Sequence, residues 1–227
     1  MSCFSFIKRF VARLPAGCQL ALKRRLYARQ IRRGTFATDE PEFLRLAEWV
    51  REGDWVLDIG ANVGHYTKRL SELAGARGRV IAFEPTPATF SLLAANALLF
   101  THPNVTLLNA AASDGTRIAG LHVPKFASGL DNFYETQLTS AVGSDLPALT
   151  LAVDSLALDH PIALIKVDAE GHEASVLAGM EKTIAKHQPV LIVETGDPGV
   201  VARMESRGYT QQKLPGSPNI LFLPQVE

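Results

Sequence analysis

Residues 55–67 read WVLDIGANVGHYT. An apolar run with the pattern of a buried strand ends in Asp58, and Gly60 and Gly64 bracket a tight turn ahead of helix-forming residues. A dinucleotide loop, G-x-G-x-x-G, needs a second glycine two positions after the first, so that bare backbone can approach a pyrophosphate. That position here is Asn62. A Walker loop is excluded as well, because no Gly-Lys-Ser/Thr follows. The turn is not built around phosphates.

Outward from this stretch, apolar runs alternate with helical segments. Strands are expected at 55–60, 79–85 (RVIAFEP), 105–113 (VTLLNAAAS), 149–156 (LTLAVDSL, with Asp154 as an N-cap), 161–168 (PIALIKVD) and 189–195 (PVLIVET). Helices are expected at 41–52, with Phe43, Leu44, Ala47 and Val50 on one side, then at 64–75, 87–100 and 172–187. YTQQKL and NILFLP (209–214 and 219–224) read as a closing antiparallel pair. The alternation predicts an α/β fold, a doubly wound, mostly parallel sheet with helices on both faces. Residues 125–148 form a polar loop with Phe126, Phe133 and Tyr134, a candidate substrate lid.

Ligands of such sheets bind at the carboxyl ends of the strands. The strand ends here fit S-adenosylmethionine, which carries adenosine without phosphate and ends in an amino acid on a sulfonium. Asp58, Gly60, Ala61, Asn62 and Gly64 would take the amino-acid end, with N–H groups near Gly64 for the carboxylate. Tyr66 and Thr67 would line the pocket, while His65 reads equally as solvent-facing. Glu84, followed by Pro85, is placed to accept the two ribose hydroxyls, and Ala112, Ser113 and Asp114 stand where an adenine edge would be read. Glu84 alone does not choose the ligand, since an acidic residue serves the same purpose in dinucleotide folds.

VLDIGANVGHYT, AFEP, NAAASD and IKVDAEGHEASVLAG, in that order, resemble the FkbM family of methyltransferases across roughly residues 52–196. The motif D-x-E-G-x-E falls on Asp168, Glu170, Gly171 and Glu173. The resemblance implies a class I methyltransferase fold (Rossmann-like, seven strands, the last antiparallel), S-adenosylmethionine as donor, and O-methylation of a hydroxyl on a glycan, glycolipid or secondary metabolite.

Methyl transfer to a hydroxyl needs in-line alignment and a base for the departing proton. Asp168, Glu170 and His172 are the candidate catalytic residues, with Asp168 or His172 as the base. His172 occupies a variable position of the motif, so its near-neutral titration is what recommends it. Glu170 and Glu173 equally suit a role in shaping the loop at a helix start. Asp168, Glu170 and Glu194 would suit magnesium, but their spacing diagnoses no metal site and none is assigned.

The formal net charge of zero hides an asymmetry. Residues 1–34 hold nine Lys/Arg and no Asp or Glu, which leaves 14 against 23 in the rest, a balance of −9. The chain divides into a basic helical arm, 1–40, and an acidic catalytic domain, 41–227. LPAG at 14–17 splits the arm into two helices. One reading is peripheral contact with an anionic membrane surface or a lipid-linked acceptor. The preferred reading is a helix laid across the domain or against a second copy, since amphipathic helices usually bury their stripe in protein.

Cys3 and Cys18 suggest neither a disulfide framework nor a zinc site, and no apolar stretch suits a bilayer span or a signal peptide. The expectation is a cytoplasmic protein, peripheral at most. Nucleic-acid methylation is disfavoured by the acidic globule. The competing classes are a nicotinamide-dependent oxidoreductase on the same fold and a cofactor-binding module without catalysis.

Overall fold

In the computed structural model the residues described are 14–126, 136–139 and 145–225. The first arm helix, Cys3, and Phe133 and Tyr134 of the lid lie outside them. Helix α1 spans Ala16–Arg33 and α2 Pro41–Arg45. Then follow β1 (Trp55–Ile59), α3 (His65–Ala74), β2 (Arg79–Phe83), α4 (Pro87–Ala97) and β3 (Val105–Leu108). A second group comprises β4 (Ala111–Ala112), β5 (Arg117–His122), β6 (Gln137–Thr139) and β7 (Leu146–Leu151). The chain closes with β8 (Ile162–Val167), α5 (Glu173–Ala178), α6 (Glu181–His187), β9 (Val190–Glu194), α7 (Pro198–Glu205), β10 (Tyr209–Gln212) and β11 (Asn219–Pro224).

Among the described residues seven strands form the main sheet, in the order β10-β11-β9-β8-β1-β2-β3. β11 pairs antiparallel with both neighbours, and the other pairs are parallel. Successive residues of each strand enter opposite cores, as the two-residue period of a strand requires. Leu57, Ile81, Ile165, Val193 and Phe222 pack with α5, α6 and α7 on one face. Val56, Val80, Leu164, Ile192 and Leu221 pack with α3 and Phe43, Leu46 and Val50 on the other. Both faces are covered, which is why the central strands read as continuous apolar runs. Strand order reverses between β1 and β8, and the crevice above that switch point is where such sheets bind ligands.

Several elements depart from the sequence expectation: the segment expected as a loop at 125–148 holds β6 and the start of β7, so the strand expected at 149–156 runs over 146–151. The strand expected at 105–113 breaks at Asn109, whose side-chain amide donates to the carbonyls of Glu84 (2.9 Å) and Pro85 (3.1 Å). Ala111–Ala112 beyond it pair with β7 in a separate small sheet, β4-β7-β5-β6. The helix expected at 172–187 divides at Gly179, where a Cβ would stand 1.9 Å from the Ser113 carbonyl oxygen. Asp154 does not cap its own segment: its carboxylate accepts the Lys182 and Thr183 N–H groups and so caps α6. The 41–52 helix is a short α2 and a 3-10 turn that bury Phe43, Leu46 and Val50 and leave Leu44 and Ala47 exposed.

Helix α1 lies across the domain. Leu20, Tyr27 and Ile31, with Phe36, pack on Val63 and on Leu92 of α4. The Phe36 and Tyr27 rings stand 4.1 and 6.4 Å from His65, which is therefore covered by the arm. Leu22, Arg25, Leu26 and Arg29 occupy the exposed face of α1. Among the described residues no helix is long and apolar enough to cross a membrane.

Candidate functional site

A cleft opens at the switch point, where the lining residues come from the ends of β1, β2 and β8 and from the small sheet. Gly60 and Asn62 form one wall, Glu84 to Thr86 a second, Ala110 to Ala112 a third, and Asp168 to Glu170 with His172 the fourth. Leu121 and Leu138 of the small sheet, with Thr136 just ahead of β6, roof it.

The turn after β1 is held by β2 and β8. The Gly60 and Ala61 N–H groups both donate to the Phe83 carbonyl. A Cβ on Gly60 would lie 1.8 Å from the Asp168 carbonyl oxygen, so its missing side chain serves strand packing. Asn62 sits at φ 50, in the left-handed region that asparagine tolerates. Its N–H donates to Glu84 Oε2 at 3.0 Å, and Thr86 N–H donates to Oε1 at 2.8 Å. Each Glu84 oxygen keeps a lone pair for a further donor. Burial pushes the Glu84 carboxyl up to about 7 despite those two bonds. Asn62 Oδ1 is buried without a partner, an uncompensated acceptor beside the cleft.

Asp58 is 1% exposed and accepts the Thr67 hydroxyl at 2.5 Å. Burial raises its carboxyl to about 6, against the Thr67 bond and the Lys166 charge. Asp58 and Thr67 thus lie beneath the turn and not on the cleft wall. Ala61 faces Ala82 and Leu93 in the core, and the Gly64 Cα packs against Leu93. Tyr66 points to the other side of β1: its ring packs on Phe43 and its hydroxyl donates to Glu40 at 2.6 Å. Ser113 is buried below the cleft, with its hydroxyl 2.9 Å from His172 Nε2. Asp114 turns outward to a salt bridge with Arg117 at 2.7 Å. Of the residues expected to hold the donor, Gly60, Asn62, Glu84, Pro85 and Ala112 line the cleft together.

A second, shallower cleft shares Asp168 and Glu170 with the first and continues over Glu173, Glu194 and Lys213. Glu173 Oε1 accepts the Gly171 N–H at 2.9 Å and holds the loop in shape. Glu170 lies at φ 50 and Gly171 at φ 89, a turn that lifts residues 168–172 over the end of β8. Burial, with Asp168 nearby, raises the Glu194 carboxyl, and burial lowers the His172 imidazole. Among the described residues no three His, Cys, Asp or Glu side chains converge as a metal-binding group.

Thr86, Ala110 and Leu121 were not expected at the cleft; Thr136 and Leu138 belong to 125–148, the segment expected as a lid, and Lys166 of the KVDAEGHE run was given no role of its own. Lys166 carries a signal: a lysine inside IALIKV must find a buried counter-charge. Leu121 carries none, because it reaches the cleft only when the small sheet pairs.

Residues 58–210 match the family described as the methyltransferase FkbM domain. The hexuronic acid methyltransferase AglP of Haloferax volcanii is 29% identical over 181 residues, 77% of this chain and 71% of that protein. The 31-O-demethyl-FK506 methyltransferase FkbM of Streptomyces tacrolimicus is 28% identical over 233 residues, covering 87% and 88%. Among solved structures, the FkbM methyltransferase of Methylobacillus flagellatus superimposes with TM-score 0.53 at 16% identity, over 90% of this chain and 59% of that one. A Clostridium thermocellum structure gives 0.51 at 14%, over 79% and 89%, a likeness of fold alone.

Proposed function

The chain belongs to the FkbM methyltransferase family, whose donor is S-adenosylmethionine, and on that premise we propose that it methylates a hydroxyl of a glycan, glycolipid or secondary metabolite. The observation that carries the donor assignment is the pairing of Asn62 and Glu84. A buried carboxylate with one lone pair free on each oxygen suits two vicinal ribose hydroxyls. The unpartnered Asn62 Oδ1 suits a further donor from the ligand, and the Ala110–Ala112 wall suits an adenine face. Bound there, the donor supplies a methyl group on a positively charged sulfur.

The chain's own work is alignment and proton transfer. Asp168 belongs to both clefts, which supports it as the group nearest the reacting hydroxyl. His172 Nε2 is occupied by Ser113, which favours Asp168 over His172 as the base. Glu170 then shapes the turn between the two clefts. Two carboxylates beyond Asp168 and Glu170, Glu173 and Glu194, against Lys213, favour an uncharged acceptor. The exposed leucines and arginines of α1 support peripheral contact with an anionic lipid surface, and with it a lipid-linked acceptor.

Calorimetric titration with S-adenosylmethionine and with NAD tests the donor. Binding of the first alone is expected; NAD binding without S-adenosylmethionine would overturn the reading.

A further inference from the structure

β8 is apolar except for one residue. Lys166 is 3% exposed and, among the described residues, is the one buried cation. An ammonium in the interior is retained where opposite charge meets it. Its Nζ lies 3.3 Å from Asp168 Oδ2 and 5.1 Å from the centre of the Tyr66 ring. Its charge also reaches Glu40, ahead of α2, Asp58 on β1 and Glu194 on β9. Lys166 therefore sits beneath the floor shared by the donor turn and the acceptor cleft. Asp168, 31% exposed, is the partner that emerges into both.

The geometry points to Lys166 as the positioning residue for Asp168: it anchors one carboxylate oxygen from below and holds the group in the orientation in which it meets the acceptor's hydroxyl. This rests on Asp168 acting as the base. The other groups facing the pair are Asp58, Glu40, Glu84, Glu194 and Tyr66, with Glu170, Glu173 and Lys213 along the acceptor cleft. Most of these are acidic. Without Lys166, Asp168 faces mainly like charge and loses its fixed orientation.

The test follows kcat and KM for transfer of labelled methyl to a neutral alkyl glycoside by the wild type, Lys166→Met, Lys166→Arg, Asp168→Asn and the Lys166→Met/Asp168→Asn double variant. Calorimetry of donor binding and thermal melts accompany each. Lys166→Met is expected to lose at least tenfold in kcat and to keep acceptor KM and donor affinity within about threefold. Lys166→Arg is expected to keep kcat within about threefold of the wild type. In the Asp168→Asn background, Lys166→Met is expected to add less than threefold. An undiminished kcat in a folded Lys166→Met beside an impaired Asp168→Asn would overturn the positioning role alone, as would losses that multiply in the double variant. An Asp168→Asn enzyme with undiminished rate would remove the base and its positioning residue together. Lys166→Gln carries the same test if Lys166→Met does not fold.

Discussion

The backbone N–H of Asn62 donates to Glu84 Oε2 at 3.0 Å, joining the turn after β1 to the end of β2 across 22 residues. One carboxylate thereby shapes the turn and faces the cleft. Glu84→Gln, which retains one acceptor oxygen, is expected to weaken S-adenosylmethionine binding about tenfold, and Glu84→Ala about 100-fold, from charge-assisted bonds worth roughly 1.5–3 kcal/mol each. Calorimetric titration checks the affinity and circular dichroism the fold. Unchanged affinity in Glu84→Ala would remove the ribose role.

The same residue gives donor binding a pH dependence. Burial holds the Glu84 carboxyl at about 7 in the donor-free protein, and hydroxyl donors favour its ionised form. Below pH 7 binding is expected to release a proton and to weaken by about tenfold per pH unit. Titrations in two buffers of different ionisation enthalpy measure the proton directly. The folded pKa lies above the reference value of 4.5, so the stability linked to this group is fully present below that value. It is lost as pH rises through about 7. Melting of the donor-free protein between pH 4 and 8 is expected to show this slope, and Glu84→Gln to flatten it.

Gly60 and Gly171 separate two reasons for a glycine. Gly60 lies at φ +78 and a Cβ there would meet the Asp168 carbonyl at 1.8 Å, whereas Gly171, at φ +89, has nothing within 4 Å of the same position. Gly60→Ala is expected to cost about 2 kcal/mol or more, from clash added to strain. That corresponds to roughly 4–8 °C in Tm for a chain of this size. Gly171→Ala is expected to cost only the strain, about 1–2 kcal/mol. Equal melting temperatures would contradict the close approach of β1 and β8.

Asp168→Asn and His172→Gln distinguish the two candidate bases. Asp168→Asn is expected to lower kcat at least 100-fold with donor affinity nearly unchanged, the range of general-base losses being about 10²–10⁴. His172→Gln keeps a donor to Ser113 and is expected to lose less than tenfold. The reverse order of losses would make His172 the base.

Acceptor charge is a further discriminant. The cleft beyond Asp168 carries Glu170, Glu173 and Glu194 against Lys213. A neutral glycoside is expected to be methylated at least tenfold faster than the matched glucuronide, with the gap narrowing as salt rises. A preference for the glucuronide would align this chain with the Haloferax protein instead.

The main sheet was legible because buried parallel strands are written as apolar runs, and β1, β2, β8 and β9 lie within a residue or two of their expected places. Glu84 and Asp168 follow from standing at the ends of those runs. Asp114 and Tyr66 show where this reasoning stops. They flank strand ends correctly in sequence, yet other partners turn them aside, the nearby Arg117 for Asp114 and the distant Glu40 for Tyr66. Asn109 and Gly179 were silent because their roles depend on residues distant in the chain: the Glu84 carbonyl and the Ser113 carbonyl. The roof residues Leu121 and Leu138 come from a sheet whose pairing has no period of its own to announce it.

Transfer of labelled methyl from S-adenosylmethionine onto a panel of hydroxylated glycosides, lipids and polyketide-like acceptors, followed by mild alkaline treatment of the product, tests the central claim most directly. The expected result is label held in an alkali-stable methyl ether, formed by the wild type and at least 100-fold more slowly by Asp168→Asn. Tight donor binding with no transfer to any acceptor, or label released by mild alkali as from a methyl ester, would contradict it.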